Sequence, residues 1–516
     1  MLQIQNVTIK HKKDLRTILE DFSFTLNAGD KAVIIGEEGN GKSTLLKWIV
    51  EPESVESYAE VSGRCILNGE RLGYLPQEFP NEELETSVYD YFCKSDAFCV
   101  LSPKELGQLA ADLGLSPDFF YGQQKMGSLS GGEKVKSQLA RILMEQPSIL
   151  LLDEPSNDLD LETLEWLERF IQNCSHPLLF ISHDEILISR CANVIIHLEQ
   201  IRRKTISRYT VARMGYSDYI DQRTAVFENQ EREALSDLRQ EKIRQEKFQR
   251  IYQQVENDLR SVSRQSPHMG RMLKKKMHAV KAMEKRYQRE SEAMRQLPEE
   301  EEAIFLKFGE DIQIPAGKVM VDFHLAQLKT ADDQRLLAQN IHLFIKGQHK
   351  ICIIGRNGMG KTTLLRKIAD ELLQRTDLKA AYMPQNYEEL LDPEKNPVDY
   401  LAPSGQKEEI TKVRSWLGSM KYTPEEMSHP IRQLSGGQKA KALLLKMGFS
   451  SADVLLLDEP TRNFSPLSNP VIRNVLQAYQ GVIISVSHDR KYISQVCDQV
   501  YRLTEQGLEK VDNISI

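Results

Sequence analysis

The feature that most constrains this chain is an internal repeat of four motifs, each present twice and in the same order. Residues 31–43 (KAVIIGEEGNGKS) and 350–362 (KICIIGRNGMGKT) are apolar runs followed by GxxxxGK[ST], and LSGG[EQ], LLLDEP and SHD follow each of them. From LSGG to SHD the two copies are offset by a constant 305 residues. A lone GxxxxGK[ST] can arise by chance, but two copies with the same followers cannot. The repeat therefore predicts two tandem α/β nucleotide-binding domains.

The copies differ in length upstream of the LSGG[EQ] motifs. The first has 11 more residues between its P-loop lysine and the glutamine of its Y-x-P-Q turn. The offset between the copies is therefore larger before this point than after it.

Composition excludes several classes of protein. No run approaches the roughly 20 apolar residues of a membrane helix, and the amino terminus lacks the apolar core of a signal peptide. The 7 cysteines show no CxxC or zinc-ligand spacing, which favours free thiols in a reducing compartment. We therefore expect a cytoplasmic protein. Its net charge of -7 argues against a uniformly basic surface for nucleic acid.

The glycine-rich turns predict phosphate-binding loops, because glycine lets successive backbone N–H groups converge on phosphate oxygens at the start of a helix. Lys42 and Lys361 would contact the β- and γ-phosphates of ATP, and Ser43 and Thr362 would place a hydroxyl on Mg²⁺. The other nucleotide contacts expected in these loops are Gly36, Gly39, Asn40, Gly41, Thr44, Gly355, Asn357, Gly358, Gly360 and Thr363.

Each LLLDEP motif predicts a buried parallel strand with two carboxylates at its carboxyl end, where open α/β sheets bind ligands. Asp153 and Asp458 suit Mg²⁺, directly or through water. Glu154 and Glu459, one residue later, suit the orientation and deprotonation of an attacking water.

Two further polar positions complete each predicted site. Gln77 and Gln385, in Y-x-P-Q turns, suit sensing of Mg²⁺ and the attacking water. His183 and His488 follow an apolar strand and are placed to touch the γ-phosphate. A lone histidine there would usually be structural, but its place in SHD after the LLLDEP strand favours a functional role.

LSGG[EQ] predicts a helix whose amino terminus is a second phosphate-binding element. Two such elements on one small domain cannot easily share a γ-phosphate, so the simplest arrangement is a head-to-tail sandwich of the two halves. Site one would pair Lys42 and Glu154 with Ser435, Gly436 and Gly437. Site two would pair Lys361 and Glu459 with Ser130, Gly131 and Gly132.

The segment between the halves predicts a helical hairpin. Residues 222–297 contain one proline and one glycine, Pro267 and Gly270, and apolar residues recur at spacings of three and four on either side. This pattern predicts two long helices in an antiparallel coiled coil, with Ser266 capping the second. A first helix of about 40 residues would span roughly 60 Å, so we expect the tip near 259–272 to project beyond the nucleotide-binding domains.

The hairpin carries a concentrated positive charge. Residues 262–289 hold nine lysines and arginines against one acid, Glu284. A solvated basic helix is the plain alternative, but in a chain of net charge -7 this run favours a phosphate backbone as partner, bound in a salt-dependent way. The expected RNA contacts are Arg264, Arg271, Lys274, Lys275, Lys276, Lys281 and Lys285.

The four motifs and their order resemble the ATP-binding cassette (ABC) superfamily over nearly all of both halves. Two cassettes in one chain, a long charged linker and no membrane segment resemble the ABC-F family of ribosome-binding ATPases. The resemblance implies ATP hydrolysis by two ABC-type P-loop domains, residues 1–204 and 315–516, joined by the linker hairpin of residues 205–314. It also implies a monomer whose cassettes pair within one chain, without a membrane subunit.

The resemblance further implies a partner. In ABC-F relatives this linker enters the tRNA exit site of the 70S ribosome, contacts P-site tRNA and approaches the 23S rRNA of the peptidyl-transferase centre. Two departures bear on the ATP sites. The second cassette has TRNFS, with Ser465 where the family usually has aspartate, so equal hydrolysis at both sites does not follow. His11 is the candidate adenine-stacking residue of the first half, and the second half offers none.

Within the family, the chain looks most like the antibiotic-resistance group that acts on lincosamides, pleuromutilins and streptogramin A. The interval from Gln77 to Gly131 is 54 residues, against 51 from Gln385 to Gly436, so the extra arm of housekeeping members is not expected. Only 28 residues follow His488, so a basic carboxyl-terminal extension is not expected either. The alternatives are a housekeeping factor acting on stalled ribosomes and a fused ATPase subunit of an ABC transporter, although such subunits join their cassettes by a short linker.

Overall fold

A computed structural model describes residues 1–13, 15–201, 204–261, 267–292, 312, 314–330 and 335–511. The chain divides into two compact units. One comprises Met1–Tyr216 with Glu301–Ile516 and contains both cassettes, and the other is Ser217–Glu300. Among the described helices, none combines the length and the hydropathy needed to cross a bilayer.

The first cassette is built on a six-stranded sheet of order β5-β6-β7-β3-β8-β9, in which β9 is antiparallel to β8 and the other pairs are parallel. A three-stranded antiparallel sheet, β2-β1-β4, packs beside it. The strands are β1 (Leu2–His11), β2 (Thr17–Leu26), β3 (Lys31–Ile35), β4 (Ala59–Ile66), β5 (Leu72–Leu75), β6 (Ile149–Asp153), β7 (Leu178–Ile181), β8 (Val194–Ile201) and β9 (Ile206–Ala212). The helices are α1 (Lys42–Val50), α2 (Pro52–Val55), α3 (Val88–Cys93), α4 (Asp96–Val100), α5 (Pro103–Asp112), α6 (Gly131–Met144), α7 (Leu161–Asn173) and α8 (Glu185–Cys191).

Two helices follow in the other unit, α9 (Tyr216–Ser261) and α10 (Pro267–Glu292). The ring of Phe248 on α9 meets that of Tyr287 on α10 at 6.3 Å, with the planes 78° apart. Val255, Leu273 and Val280 are buried. The predicted helical hairpin is therefore confirmed, while Arg264 and Ser266 of its expected tip lie outside the described residues.

The second cassette repeats the first, with a six-stranded sheet of order β13-β14-β15-β12-β16-β17 and a hairpin, β10-β11. Its strands are β10 (Val319–Lys329), β11 (Leu336–Lys346), β12 (Lys350–Ile354), β13 (Ala380–Met383), β14 (Val454–Asp458), β15 (Val482–Val486), β16 (Gln499–Thr504) and β17 (Gly507–Val511). Its helices are α11 (Lys361–Leu373), α12 (Pro397–Leu401), α13 (Lys407–Ser419), α14 (Gly436–Phe449), α15 (Asn469–Ala478) and α16 (Arg490–Val496). The two tandem α/β cassettes expected from the repeat are thus confirmed.

The extra residues of the first cassette form a strand. β4 lies between the P-loop helix α1 and the Y-x-P-Q turn and pairs with β1, whereas in the described part of the second cassette β10 pairs with β11 alone. The insertion thus widens the antiparallel sheet and leaves the six-stranded sheet unchanged.

The cassettes contact each other through a buried cluster of charges. The guanidinium of Arg473 on α15 donates to both carboxylate oxygens of Glu185 on α8, over 2.5 and 3.2 Å. Arg490 on α16 binds the carboxylate of Glu168 on α7. All four residues are buried. Because carboxylates without cationic partners are strongly unfavourable away from water, these pairs tie the two cassettes together.

The cluster predicts the effect of removing one charge. Glu185→Gln should lower the free energy of unfolding by about 3 kcal/mol, because Arg473 is left buried without its acid. Urea denaturation measures this. Glu389→Gln, which breaks the exposed pair of Glu389 with Arg366, is the matched control and should cost less than about 1 kcal/mol. Equal losses in the two variants would show that the buried cluster does not hold the cassettes together.

Candidate active sites at the cassette interface

The P-loops take the backbone shape that the glycine pattern predicts. Gly41 and Gly360 precede α1 and α11 with φ of 81° and 86°, a left-handed conformation that favours glycine. A β-carbon on Gly41 would lie 2.5 Å from the side chain of Ile18. The ammonium of Lys42 donates to the carbonyls of Gly36 (2.7 Å) and Glu37 (3.0 Å), within its own loop.

The second loop is built in the same way. The ammonium of Lys361 donates to the carbonyls of Gly355 (2.8 Å) and Arg356 (3.0 Å). Burial lowers the pKa of Lys361, although the carboxylate of Glu459 opposes the shift. In the first loop the side-chain amide of Asn40 donates to the carbonyl of Leu198 on β8 over 2.9 Å. The nucleotide contact expected of Asn40 remains a prediction.

The acidic residues of LLLDEP lie at the ends of β6 and β14. Glu154 and Glu459 both have φ of 50°, a strained left-handed backbone for residues other than glycine and of a kind that clusters at functional sites. The hydroxyl of Ser43 donates to Asp153 over 2.9 Å. The predicted hydroxyl and carboxylate ligands of a cation are therefore neighbours in site one.

The aspartates have the environment of cation ligands. Burial raises the pKa of both Asp153 and Asp458 to about 6. Both carboxylate oxygens of Asp458 are buried and make no hydrogen bond with the described residues. A divalent cation would satisfy these oxygens, and carboxylate and hydroxyl oxygens are the ligands that Mg²⁺ prefers. The residues thus fit the predicted Mg²⁺, which remains a prediction.

Both LSGG[EQ] motifs open helices with capping boxes. Ser130 accepts from the backbone N–H of Glu133, whose carboxylate accepts from the N–H of Ser130, and Ser435 and Gln438 do the same at α14. Gly131 and Gly436 are the first residues of α6 and α14. Such amino-terminal turns present backbone N–H groups toward an anion.

In site one the first P-loop faces the signature of the second cassette. The carboxylate of Glu38 accepts from the backbone N–H of Gly437. A cavity of about 750 Å³ opens beside this contact. Its lining includes Gly39, Gly41, Lys42, Ser43, Thr44, Gln77, Glu154, His183, Arg462 and Asn463.

In site two the second P-loop faces the first cassette. The side-chain amide of Asn357 donates to the carbonyl of Asp158 over 2.5 Å, and its backbone N–H donates to the carboxylate of Asp160 over 3.4 Å. The adjoining cavity has a volume of about 840 Å³. Its lining includes Gly131, Gly358, Gly360, Lys361, Thr362, Thr363, Gln385, Asp458, Glu459 and His488.

The glutamate and histidine of site one are linked across the cassettes. One imidazole nitrogen of His183, Nε2, lies 3.2 Å from Glu154, and the other, Nδ1, lies 2.8 Å from the carbonyl of Phe464 in the second cassette. Gln77 donates to Glu154 over 3.2 Å. Although burial opposes ionisation, His183 first, followed by the charge of Lys42 and the hydrogen bond from Asn157, holds the pKa of Glu154 at about 2.

Site two lacks this link. Nδ1 of His488 is buried without a hydrogen-bond partner among the described residues, and Nε2 lies 3.7 Å from Glu459. Burial, helped by the charge of Asp458, raises the pKa of Glu459 to about 8. Burial and the nearby Lys361 lower the pKa of His488 to about 3. At neutral pH Glu154 is therefore ionised, whereas Glu459 and His488 are both neutral.

Sequence reasoning missed the residues that cross the interface. Glu37 and Glu38 of the first P-loop, Asp158, and the carbonyl of Phe464 all contact the opposite cassette. One signal was available for the two glutamates, since they stand where the second loop has Arg356 and Asn357. No sequence pattern marks the carbonyl of Phe464.

The predicted RNA contacts that the structure describes are exposed on α10. At about 100° per residue, Arg271, Lys274, Lys281 and Lys285 fall within about 80° of the helix circumference. Leu273, Val280 and Tyr287, spaced by seven residues, lie on the opposite side, and the first two are buried. These four cations therefore form a solvent-facing strip opposite the apolar seam, whereas Lys275 and Lys276 lie outside the strip.

The raised pKa of Glu459 predicts a pH-dependent stability. This carboxyl holds its proton up to about pH 8 in the folded chain, whereas its ordinary pKa is 4.5. Its contribution to the free energy of unfolding is therefore fully present below pH 4.5 and is lost as the pH rises toward 8. Between pH 5 and pH 8, the free energy of unfolding of the parent chain should therefore fall by about 3 kcal/mol more than that of the Glu459→Gln variant. Urea denaturation across this range measures the difference.

Glu154→Gln is the matched control. The pKa of Glu154 lies below its ordinary value, so its stabilising effect is lost only below about pH 4.5, and the profile between pH 5 and pH 8 should match that of the parent. A Glu459→Gln profile that also matches the parent would contradict the asymmetry of the two sites.

Comparison with known proteins identifies the family. The family model "ABC transporter" matches residues 19–157 and 338–462, just over half of the chain. The ATP-binding protein Uup of Haemophilus influenzae is 30% identical over 541 residues, which cover 95% of this chain and 77% of that protein. ABC transporter F family member 5 of Arabidopsis thaliana is 25% identical over 544 residues, covering 96% and 74%.

A solved structure shows the same fold. The crystal structure of archaeal ribosome recycling factor aABCE1 with ribosomal stalk protein aP1 matches with a TM-score of 0.56 and 17% identity, over 96% of this chain and 87% of that one. At this identity the likeness concerns the fold alone. Together with the paired cassettes and the family match, the relatives show that this chain belongs to the ABC transporter family as an ABC-F ATPase with two cassettes, an enzyme that binds and hydrolyses ATP.

Proposed function

We propose that this chain is a ribosome-binding ABC-F ATPase that confers antibiotic resistance by target protection. The linker hairpin enters the tRNA exit site of the 70S ribosome and contacts P-site tRNA and 23S rRNA, and bound drug leaves the neighbourhood of the peptidyl-transferase centre. The protein acts in the cytoplasm as a monomer, with cassettes at residues 1–204 and 315–516, a linker at 205–314 and no membrane subunit.

The observation that carries the proposal is the cationic strip of α10. Seven lysines and arginines lie between residues 271 and 286 against Glu284 alone, and the predicted contacts among them are exposed. The opposite side of the helix supplies the seam with α9, so the strip faces away from the packed side of the hairpin. A strip of this kind suits the phosphate backbone of RNA, which it binds with release of counterions.

Each ATP site has a division of roles among its residues. Lys42 and Lys361 bind the phosphates, and Asp153 and Asp458 with Ser43 and Thr362 hold Mg²⁺, which supplies charge stabilisation when bound. Glu154 and Glu459 take the proton of the attacking water, while Gln77, Gln385, His183 and His488 orient that water and the γ-phosphate. The ionised Glu154 is ready to act as a base at neutral pH, whereas Glu459 must first lose its proton.

ATP controls ribosome binding through the cassette interface. Each site draws one wall from each cassette, so a ligand that touches both walls favours the closed pair. ATP can shift the equilibrium toward the closed pair only if it binds the closed state more tightly than the open state. The closed chain engages the ribosome, and hydrolysis weakens the contacts and allows release.

Trapping the closed state tests ribosome engagement. Glu154→Gln with Glu459→Gln should retain ATP but hydrolyse it at least about 100-fold more slowly, since a general base contributes about that much. The double variant should therefore sediment with 70S ribosomes in the presence of ATP. Lys42→Ala with Lys361→Ala, which removes the phosphate-binding ammonium groups, should remain in the supernatant. A double glutamine variant that stays free of ribosomes with ATP present would contradict the proposal.

Neutralising the strip tests the role of the linker. Arg271, Lys274 and Lys281 replaced together by glutamine should weaken ribosome binding and reduce the slope of its salt dependence by about 0.7 for each phosphate that is no longer neutralised. ATP turnover without ribosomes should stay within about twofold. In a susceptible bacterium the variant should no longer protect against lincosamides, pleuromutilins or streptogramin A.

The linker itself offers the matched control. Lys242, Lys247 and Arg250 are also exposed, but they lie on α9 among acidic residues, and their replacement by glutamine should leave binding and protection unchanged. Full drug protection by the variant that lacks Arg271, Lys274 and Lys281 would overturn the proposal. Ribosome binding without any drug protection by the parent chain would instead favour the housekeeping role.

A further inference from the structure

The first P-loop carries two acids where the second carries none. Aligned on the P-loop lysines, Glu37 and Glu38 correspond to Arg356 and Asn357. A phosphate-binding loop gains affinity from positive charge and N–H donors, so adjacent carboxylates work against an anionic ligand. Their contacts show what they do instead.

Glu38 lies on the amino terminus of the opposite signature helix. Its carboxylate accepts from the backbone N–H of Gly437. Glu38 also lies close to Gly436, since a β-carbon added to this glycine would be 3.2 and 3.3 Å from the two carboxylate oxygens of Glu38. Helix α14 has no acid of its own in its first turn, whereas α6 has Glu133. The carboxylate of Glu38 therefore supplies, from the other cassette, the negative charge that this helix end favours.

Glu37 anchors the same loop. Its carboxylate lies 3.0 and 3.3 Å from the ammonium of Lys441 on α14 and accepts from the hydroxyl of Ser468 over 3.3 Å. The side chain of Lys441 is 6% exposed and that of Glu37 is 16% exposed, so solvent screens this pair little. The remaining cavity beside these residues has a volume of about 10 Å³, about the space of a single water. The loop is thus packed onto the second cassette.

The change at Ser465 matches the acidic loop. In site two the equivalent residue, Asp160, accepts from the backbone N–H of Asn357 across the interface. In site one the hydroxyl of Ser465 donates to that of Ser468, which in turn binds Glu37. An aspartate at 465 would place a second carboxylate next to Ser468, which itself contacts Glu37. Two carboxylates this close in a buried interface repel each other. The serine therefore accommodates the acids of the opposite loop.

From these contacts we infer that Glu38 is a specificity-determining residue that makes site one selective for a nucleoside diphosphate over a triphosphate. The inference rests on the composite ATP sites of the proposed function. In such a site the γ-phosphate needs the N–H groups at the start of α14, and Glu38 already binds one of them. A triphosphate must displace this carboxylate, whereas a diphosphate ends one phosphate short and leaves it in place.

The experiment measures the affinity of site one for ADP and for AMP-PNP, each with Mg²⁺, by calorimetry. Lys361→Ala is present throughout so that site two does not contribute. With Glu38 in place, ADP should bind at least as tightly as AMP-PNP. Glu38→Asn, which copies the second loop, should shift the ratio of the two dissociation constants toward AMP-PNP by about tenfold, which equals about 1.4 kcal/mol.

Glu38→Gln is the isosteric variant, which removes the charge and keeps the shape, so it serves even if Glu38→Asn fails to fold. It should shift the ratio in the same direction. A ratio that stays within twofold of the parent in the variants that fold would overturn the inference. So would tighter binding of AMP-PNP than of ADP by the chain that retains Glu38.

A further variant separates this inference from the proposed site. Adding Lys42→Ala to the Lys361→Ala chain should abolish binding of ADP and AMP-PNP, because Lys42 is the phosphate-binding ammonium of site one. If binding persists, the assignment of the nucleotide site is wrong, and the inference about Glu38 falls with it. If binding disappears but the Glu38 variants leave the ratio unchanged, only the diphosphate selectivity is wrong.

Discussion

The pairing of the two cassettes depends on four buried charges at their interface. In the internal repeat, Glu168 is equivalent to Arg473 and Glu185 to Arg490, with the constant offset of 305 residues. The contacts Glu168–Arg490 and Glu185–Arg473 are therefore related by the pseudo-symmetry of the repeat, with their charges reversed. The first cassette supplies both acids and the second supplies both bases.

This division of charge makes the pairing selective. Two copies of the first cassette would bring carboxylates together, and two copies of the second would bring guanidinium groups together, and burial of like charges is strongly unfavourable. Pairing of unlike cassettes gives each of the four charges a partner of opposite sign. Since each candidate site takes residues from both cassettes, the same four charges determine which P-loop meets which signature.

The two sites that result are chemically unequal. His183 is held between Glu154 and the carbonyl of Phe464 across the interface, whereas His488 has no equivalent partner among the described residues. The acidic first P-loop and the neutral Ser465 also occur together at site one alone. In site one, the P-loop and His183 are thus fixed by contacts with the opposite cassette. The P-loop of site two has Arg356 and Asn357 at the equivalent positions and carries no acid that would repel the phosphates of a ligand.

Much of this protein follows from local pattern. The repeat, the apolar strands before each motif and the spacing in the linker predict two α/β cassettes and a helical hairpin, because hydrophobic periodicity and glycine-rich turns act over a few residues. The same patterns identify the loop glycines, the paired carboxylates and the capping serines of both sites.

Contacts between distant residues were decided only by the tertiary structure. Nothing near Glu185 or Arg473 in the chain marks them as partners, since their pairing joins positions 288 residues apart. The same holds for Glu38 with Gly437 and for His183 with the carbonyl of Phe464. The pKa values of Glu154 and Glu459 diverge although their LLLDEP sequences are identical. His183 and Lys42 of the same cassette lower the pKa of Glu154, whereas burial and the charge of Asp458 raise that of Glu459.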